Sequence, residues 1–265
     1  MFNPIPLPRH SPLASQVLVI RALFQREVIT RFGKYQLGFV WMLLEPLLSV
    51  VLIGVLLGPL IGRACNDMPF AFFILNGKLL LNLFTGPIDS GSAALKSNVG
   101  LLIYPNVRPL DPFLARYFYE LFTTFFALVV FTLVAMCFGI TVSFSQLHTL
   151  AGCYLITWLM GCGLGLMIAV ASAHYKELEK VMDVILSPLV FVSAVMFPTS
   201  ILPAKFQKLI LYNPLVHTIE QARKALFPFY HAGDTGLYYP FAIAIITLSI
   251  GLVVFHANRD FMTRQ

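Results

Sequence analysis

Charged residues are scarce in this sequence. Only 11% of its 265 residues are Asp, Glu, Lys or Arg, whereas 58% are hydrophobic and the mean hydropathy is +0.81. A soluble domain carries about 25% charged residues, so this deficit excludes an ordinary water-soluble domain. The length is instead suited to several membrane spans of about 20 residues each. We therefore predict an all-α membrane protein with no separate globular domain.

The sequence also lacks the motifs of nucleotide-hydrolysing and metal-dependent enzymes. It has no G-x-x-x-x-G-K-[ST] phosphate loop and no H-E-x-x-H zinc motif. The glycine-rich run 161–165 lies inside an apolar stretch, which favours close contact between helices over phosphate binding. The six histidines are scattered, without a Ser/His/Asp spacing. We expect no catalytic site, no metal site and no cofactor in this chain.

Six apolar stretches are long enough to cross a bilayer, and we predict a span in each of them. They cover residues 36–60, 68–88, 112–139, 147–172, 180–198 and 237–257. If both termini are cytoplasmic, most Lys and Arg residues outside the spans fall on the inner side, as membrane proteins prefer. The net charge of +6 is then explained by topology, and no nucleic-acid partner is needed.

Residues 1–35 form the predicted cytoplasmic N-terminal segment. They are too rich in proline and charge to be a signal peptide. Apolar side chains recur at helical spacing after Pro12, with polar ones elsewhere on the helical wheel. The apolar set is Leu13, Val17, Ile20, Phe24 and Val28, and the polar set is Arg21, Gln25 and Arg26. This pattern favours an amphipathic helix in the membrane interface, packed on a cytoplasmic partner, or both.

Two connections have distinctive patterns. In the loop 89–111, Asp89 or Ser90 is a candidate N-cap for a short helix over 92–103, which Pro105 would follow. A plain solvated connector is the alternative. The outer segment 199–228 contains two short helical stretches, 203–212 and 215–227, separated at Asn213 before a proline. Because each is too short to cross the bilayer, we predict a re-entrant hairpin.

The first two predicted spans each contain one ionisable residue, and a charge inside the membrane is costly and usually functional. Glu45 precedes Pro46 in the first span, and Lys78 lies near the middle of the second, so the two are candidate partners. Snorkelling of Lys78 to the interface is the alternative. A subset of aromatic residues is a candidate lining for a conduit that accommodates sugar rings, although each one also fits an aromatic belt. That subset includes Trp41, Phe72, Phe73 and Tyr117.

Two motifs resemble a known family. The stretch 31–41 (Arg-Phe-Gly-Lys-Tyr-Gln-Leu-Gly-Phe-Val-Trp), leading into Leu44-Glu45-Pro46, is similar to the opening of type-2 ABC exporter permeases. More narrowly, it resembles inner-membrane permeases of capsular polysaccharide export in Gram-negative bacteria. The stretch 212–217 (Tyr-Asn-Pro-Leu-Val-His), with Glu220 and Arg223, is similar to the motif before the last span of that family.

The resemblance implies a homodimer in the bacterial inner membrane whose protomers each bind a separate nucleotide-binding subunit, which supplies ATP and Mg²⁺. It also implies a periplasmic polysaccharide co-polymerase, an outer-membrane channel and a lipid-linked acidic polysaccharide as substrate. The residues expected to couple to the ATPase are Arg26, Arg31, Lys34, Ser92, Lys96 and Tyr104. Those expected in the channel are Trp41, Glu45, Phe72, Phe73, Lys78 and Tyr117. Those expected in a periplasmic gate are Lys205, Lys208, Asn213, Pro214, His217, Glu220 and Arg223.

Three alternatives remain at this point. An exporter of O-antigen or teichoic acid would have the same fold. A secondary transporter working alone would show paired broken helices in both halves, whereas only the second half has a re-entrant candidate. A lipid-modifying enzyme would show a catalytic constellation, and we find none in the sequence.

Overall fold

The computed structural model describes residues 12–32, 40–61, 68–96, 107–175 and 177–263. Within these ranges the regular elements are all helical. They are α1 (Pro12–Phe32), α2 (Val40–Ile61), α3 (Phe70–Lys96), α4 (Asp111–Cys137), α5 (Leu147–His174), α6 (Leu178–Leu186), α7 (Leu189–Val192), a 3₁₀ helix (Thr199–Ile201), α8 (Ala204–Ile210), α9 (Pro214–Leu226) and α10 (Tyr238–Thr263).

Five of the described helices are long and apolar enough to cross a membrane. They are α2 to α5 and α10, which occupy the first four and the sixth of the predicted spans. The all-helical membrane class is therefore confirmed. Six continuous spans are not, because the predicted fifth span, 180–198, is divided between α6 and α7. The division falls at Ser187-Pro188, where a proline interferes with helical geometry and hydrogen bonding, and α7 itself ends after one turn.

The second span is longer than predicted. Residues 89–96 belong to α3, so Asp89 and Ser90 do not cap a new helix. Gly91 lies against α5, where an added Cβ would come within 2.9 Å of the carbonyl oxygen of Gly165. The second span and residues 89–96 thus form one continuous helix, α3. The predicted separate helix over 92–103 is therefore wrong at its start. The remainder of that prediction, with Tyr104, lies outside the described residues.

Glycines allow the central helices α3, α5 and α10 to touch through their backbones. A Cβ added to Gly161 would lie 2.6 Å from the carbonyl oxygen of Phe84, and one added to Gly163 would lie 2.5 Å from the amide nitrogen of Leu248. Small residues promote such close approach in membrane helices, where lipid provides no hydrophobic drive for association. The glycine run read from the sequence is therefore a packing surface, as predicted.

The close contacts also give the relative directions of the helices. Residues 161 and 165 of α5 face 84 and 87 of α3, so α3 and α5 run parallel. Residue 163 of α5 faces 247 and 248 of α10, and the rings of His174 and Phe261 stack with centroids 4.2 Å apart, so α10 runs parallel to both. We call the end where these three helices begin the upper end and the opposite end the lower end.

Helix α4 runs antiparallel to α3. Gly86 lies against Glu120, while the carbonyl oxygen of Ser90, one turn lower in α3, accepts a hydrogen bond from Arg116. On its other side, α4 packs against α1. Phe24 of α1 meets Phe122 of α4 edge to face, with ring centroids 5.8 Å apart. The lower half of α4 is thereby enclosed between α1 and α3.

Because α5 and α10 are parallel, the chain between them must return from the lower to the upper end. Asp183 in α6 is close enough to Asp89, near the lower end of α3, for their charges to interact. Val195, just after α7, lies beside Gly77 in the upper half of α3, where an added Cβ would be 3.2 Å from the Val195 Cα. The segment 178–195 thus ascends along α3 in two helical pieces.

Candidate functional site

The α8–α9 segment ends on a fully buried ion pair. Arg223 Nη1 lies 2.9 Å from Glu220 Oε1, one helical turn earlier, and neither side chain is exposed. The hydroxyl of Tyr230 donates to the other oxygen of Glu220 at 2.8 Å. The spacing of three residues places both charges on one face of α9. Since a buried charge is tolerated only with its partners, this pair fixes α9 and the chain that follows it.

Arg223 also reaches the backbones of two other segments. Its Nη2 donates to the carbonyl oxygen of Val195 at 3.0 Å and to that of Phe73 at 3.3 Å. Gly77 leaves room for this, because an added Cβ would lie 2.9 Å from Nη2. One guanidinium therefore joins α9, the upper end of α3 and the bend after α7.

That bend is itself unusual in conformation. Ala194 has φ of 55°, a left-handed conformation that costs a non-glycine residue about 1 kcal/mol or more. It is fully buried and lies between two anchors from the α8–α9 segment. Arg223 holds the carbonyl of Val195, and Asn213 Nδ2 donates to Ser193 Oγ at 3.0 Å.

Asn213 has a second role at the start of α9. Its Oδ1 accepts a hydrogen bond from the backbone nitrogen of Leu215 at 3.0 Å, which is the N-cap arrangement, and Pro214 occupies the first helical position, where no amide proton is needed. The break predicted at Asn213 is therefore present. The sequence pattern indicated the break, but not that the same side chain would bind the bend after α7.

His217 is held on both ring nitrogens. Gly236 N donates to Nδ1 at 3.1 Å, so Nδ1 is the acceptor and Nε2 carries the proton that is donated to the carbonyl oxygen of Leu211 at 2.8 Å. The ring also meets Tyr239 edge to face, with centroids 5.4 Å apart. His217 thus connects the turn between α8 and α9 to the start of α10.

Helix α9 lies inside the bundle, antiparallel to α5. Thr157, in the third turn of α5, donates to Thr218 Oγ1 at 3.0 Å, and the carbonyl oxygen of Leu226 accepts from Ser143 N near the upper end at 2.9 Å. The N-terminal part of α9 is therefore deeper in the bundle than its C-terminal part. By contrast, Lys205 and Lys208 of α8 and Lys224 of α9 are exposed.

A second polar cluster attaches α1 to α4. Arg31 Nε lies 3.0 Å from Glu27 Oε1 within α1, and Arg31 Nη1 lies 3.2 Å from Glu120 Oε1 of α4. Arg116 of α4 lies 3.3 Å from the second oxygen of Glu27. Burial alone lowers the pKa of Arg31, but the carboxylates of Glu120 and Glu27, together with Tyr119, offset this and raise it. The Arg31 guanidinium therefore remains charged at neutral pH.

The residues predicted to contact an ATPase lie in different places: on α1, at the end of α3, and outside the described residues. Arg31 is engaged with Glu27 and Glu120, and its guanidinium also lies 4.6 Å from the ring centroid of Tyr119. Arg26 is exposed on α1. Ser92 and Lys96 belong to the end of α3. Lys34 and Tyr104 lie outside the described residues.

The residues predicted for a channel do not share one surface. Trp41 and Glu45 are exposed on α2, and Lys78 lies near enough to Glu45 for their charges to interact. Phe73, however, is fully buried, and its ring centroid lies 3.4 Å from the guanidinium carbon of Arg223. Phe72 packs on Phe227, with centroids 6.3 Å apart.

Tyr117 is also buried inside the protomer, with 2% exposure. Its hydroxyl lies near Gly165, at 2.8 Å from the position of an added Cβ. Its backbone oxygen accepts a hydrogen bond from the indole nitrogen of Trp158 at 2.8 Å. Phe73 and Tyr117 therefore serve the protomer core, and aromatic content alone did not separate them from exposed aromatics.

Several polar residues of these clusters were missed by sequence reasoning. Glu27, Arg116 and Tyr230 form ion pairs or hydrogen bonds with partners on other helices or loops. Glu27 and Arg116 are 89 residues apart and Tyr230 lies beyond the end of α9, so no helical spacing shows either pairing. Among the described residues, no group of three or more His, Cys, Asp or Glu is arranged to hold a metal.

Comparisons with known proteins agree with this architecture. Residues 19–227 match the family model described as ABC-2 type transporter. The polysialic acid transport protein KpsM of Escherichia coli is 32% identical over 251 residues, which cover 93% of this chain and 96% of that protein.

Two further relatives are capsule polysaccharide export inner-membrane proteins. CtrC of Neisseria meningitidis serogroup B is 29% identical over 215 residues, covering 81% of each chain. BexB of Haemophilus influenzae is 27% identical over 228 residues, covering 86% of this chain and 84% of that protein. The resemblance read from the sequence is confirmed, and the chain belongs to the ABC-2 type transporter family of membrane proteins.

Proposed function

We propose that this chain is the permease subunit of an ATP-driven exporter that moves lipid-linked capsular polysaccharide across the bacterial inner membrane. The observation that carries the proposal is the full-length similarity to KpsM, CtrC and BexB, whose names state polysialic acid transport or capsule polysaccharide export. The family assignment makes the chain a membrane subunit without catalysis of its own. ATP and Mg²⁺ then belong to a separate nucleotide-binding subunit.

In this proposal the chain crosses the membrane six times, with both termini in the cytoplasm. The parallel directions of α5 and α10 support an odd number of crossings between them, because the intervening chain must return from the lower to the upper end. Segment 178–195 is the fifth crossing, made in two pieces. The lower end is then cytoplasmic, and α1 lies at the inner interface.

The α8–α9 segment is the proposed periplasmic re-entrant hairpin and gate. Its support is the depth of Thr218 beside Thr157, combined with the return of Leu226 to the upper end. Exposed Lys205, Lys208 and Lys224 would attract an acidic polymer toward the exit by long-range steering.

Two copies of the chain would enclose the translocation path, with an ATPase subunit below each copy. In this arrangement the movement of the ATPase is transmitted to three parts of the chain. They are α1, the end of α3 with Ser92 and Lys96, and the connection from α3 to α4. Trp41, Glu45 and Lys78 remain candidates for the path. Trp41 and Glu45 are exposed on α2, and Lys78 lies near Glu45. A periplasmic co-polymerase and an outer-membrane channel would carry the polymer onward.

The deciding experiment is co-expression with the ATPase encoded nearest to this gene, followed by purification and reconstitution in lipid. The proposal predicts a stable complex whose ATP hydrolysis depends on this chain. It also predicts that this chain restores surface polysaccharide to a capsulated strain lacking its own permease. Transport by this chain without any ATPase would instead identify a secondary transporter. If the chain instead restored O-antigen or teichoic acid and no capsule, its substrate would be that polymer and not capsular polysaccharide.

A further inference from the structure

The side chain of Arg116 connects three helices near the lower end of the bundle. It belongs to α4, its Nε lies 3.3 Å from Glu27 Oε2 of α1, and its Nη1 donates to the carbonyl oxygen of Ser90 in α3 at 2.9 Å. Its exposure is only 11%, and that of Glu27 is 14%. This is a partly desolvated junction, in which leaving one charge without its partner is more costly than at a surface pair.

The junction is continued by a second pair. Arg31 links Glu27 to Glu120, and Glu120 fits against Gly86 of α3, where an added Cβ would lie 2.9 Å from Oε2. The four side chains carry two positive and two negative charges, so the cluster is neutral as a whole. Two of its three ion pairs join α1 to α4, and the third lies within α1, so each helix supplies partners for the other.

Helix α1 has another attachment at its opposite end. Gln16 Nε2 donates a hydrogen bond to Asp111 Oδ1, at the first residue of α4. Asp111 Oδ2 in turn accepts from the backbone nitrogen of Arg108 at 2.8 Å. With contacts near residue 16 and near residues 27 and 31, α1 is held at two separated points and cannot pivot about one of them.

We propose that Arg116 is a positioning residue that makes α1 and the lower ends of α3 and α4 move as one rigid body during transport. The proposal rests on the function given above, because it concerns how movement of the ATPase enters the permease. The connection 97–110 joins α3 to α4. Arg116 links the same two helices a second time, through Ser90, close to where the connection leaves α3 and enters α4. Force applied to α1 or to the connection then reaches the same body.

A charge exchange tests the Glu27–Arg116 contact. The complex with its ATPase is prepared with Glu27→Arg, with Arg116→Glu and with both changes, and polymer exported per ATP hydrolysed is measured. Each single change should lower this ratio on the order of tenfold, the scale of a typical coupling between sites. The double variant should recover most of the loss, while complex assembly and ATP hydrolysis persist throughout. Lys180→Glu, a charge reversal at an exposed position of α6, is the control and should leave the ratio unchanged.

A cross-link tests the rigid body directly. In a cysteine-free background, Gln16→Cys and Asp111→Cys are joined by a short thiol-specific linker, which should leave export at the level of the unlinked double variant. Export that stops on linking and returns on cleavage of the linker would show that α1 and α4 must separate, and would overturn the proposal. So would a double charge variant no better than the single ones.

These outcomes are separate from those that test the function itself. If the unchanged complex exports no polysaccharide, the proposed function fails. If it does export, but the exchange shows no recovery or the cross-link blocks it, only the rigid-body proposal fails.

Discussion

The guanidinium of Arg223 lies 3.4 Å from the centroid of the Phe73 ring, and the same guanidinium binds the carbonyl oxygen of Phe73. Phe73 is in the first turn of α3, so α9 is fixed to that turn through both the ring and the backbone. Cation–π contacts gain strength when water is excluded, and here both side chains are fully buried. Phe73, which was predicted to line a channel, therefore packs directly against Arg223, which was predicted to belong to a gate.

Breaking the Arg223–Glu220 pair from one side should destabilise the protein strongly. Arg223→Met leaves the buried Glu220 carboxylate without its cation, and loss of one partner of a buried pair costs about 3–5 kcal/mol. Thermal unfolding of the purified complex in lipid nanodiscs measures the effect. Lys224→Met, the exposed neighbour in α9, is the matched control and should leave the melting temperature unchanged. The double variant Glu220→Met/Arg223→Met should be less destabilised than Arg223→Met alone, and the reverse order would contradict this reading.

Alanine at Gly163 should separate α5 from α10. Its Cβ would lie 2.5 Å from the backbone nitrogen of Leu248, and backbone cannot move aside as a side-chain tip does. Overpacking of this kind costs about 1–3 kcal/mol, measured as a lower unfolding temperature. Gly152→Ala is a control on the same helix, since nothing lies within 4 Å of its added Cβ. Because alanine favours the helix more than glycine does, an equal fall in unfolding temperature at both positions would show that the contact with α10 is not the cause.

Most long helices could be placed from hydropathy, because lipid requires long continuous apolar runs and every backbone group must be bonded internally. The fifth span was the exception. Residues 180–198 have the composition of a span, but Ser187-Pro188 divides the helix and Ala194 turns the chain. A hydropathy window averages over such a break and does not detect it. The extension of α3 past Asp89 was missed for the opposite reason, because Ser90 and Gly91 are buried there by contacts with α4 and α5, which are distant parts of the chain.

Substitutions of Asn213 should separate its two roles. Asn213→Asp keeps the oxygen that caps α9 but loses the amide that binds Ser193 Oγ, whereas Asn213→Ala loses both. Loss of an N-cap costs about 0.5–2 kcal/mol, so stability in nanodiscs should fall in the order Asn, Asp, Ala. A variant with Asp that is as unstable as the one with Ala would show that the bond to Ser193 carries the whole effect.

Neutralising the exposed outer lysines should impair export without affecting folding. We expect Lys205→Gln, Lys208→Gln and Lys224→Gln together to lower surface acidic polysaccharide severalfold, in line with the effect of steering on association. Flow cytometry of capsule-labelled cells measures the change. Lys180→Gln, exposed on α6 toward the lower end, is the control. Unchanged capsule in the triple variant would remove the steering role. Arg223 is left out, because it is fully buried and its loss would act through stability.

The residues predicted for a periplasmic gate show how much a local sequence pattern can predict. Glu220 and Arg223 are three residues apart in one helix, so their pairing follows from local geometry. Their remaining partners, Tyr230 and the carbonyls of Phe73 and Val195, come from other elements and require the fold. The Glu27–Arg116 pair spans 89 positions and leaves no local signal at all.

The parallel contact between α5 and α10 has a consequence for biosynthesis. Gly163 and Gly251 meet backbone to backbone, yet the second belongs to α10, which leaves the ribosome after the other helices that the structure describes. A chain that has emerged only as far as α9 exposes the glycine face of α5 to lipid, without the neighbour that fills it. Completion of this part of the core thus waits for the synthesis of α10.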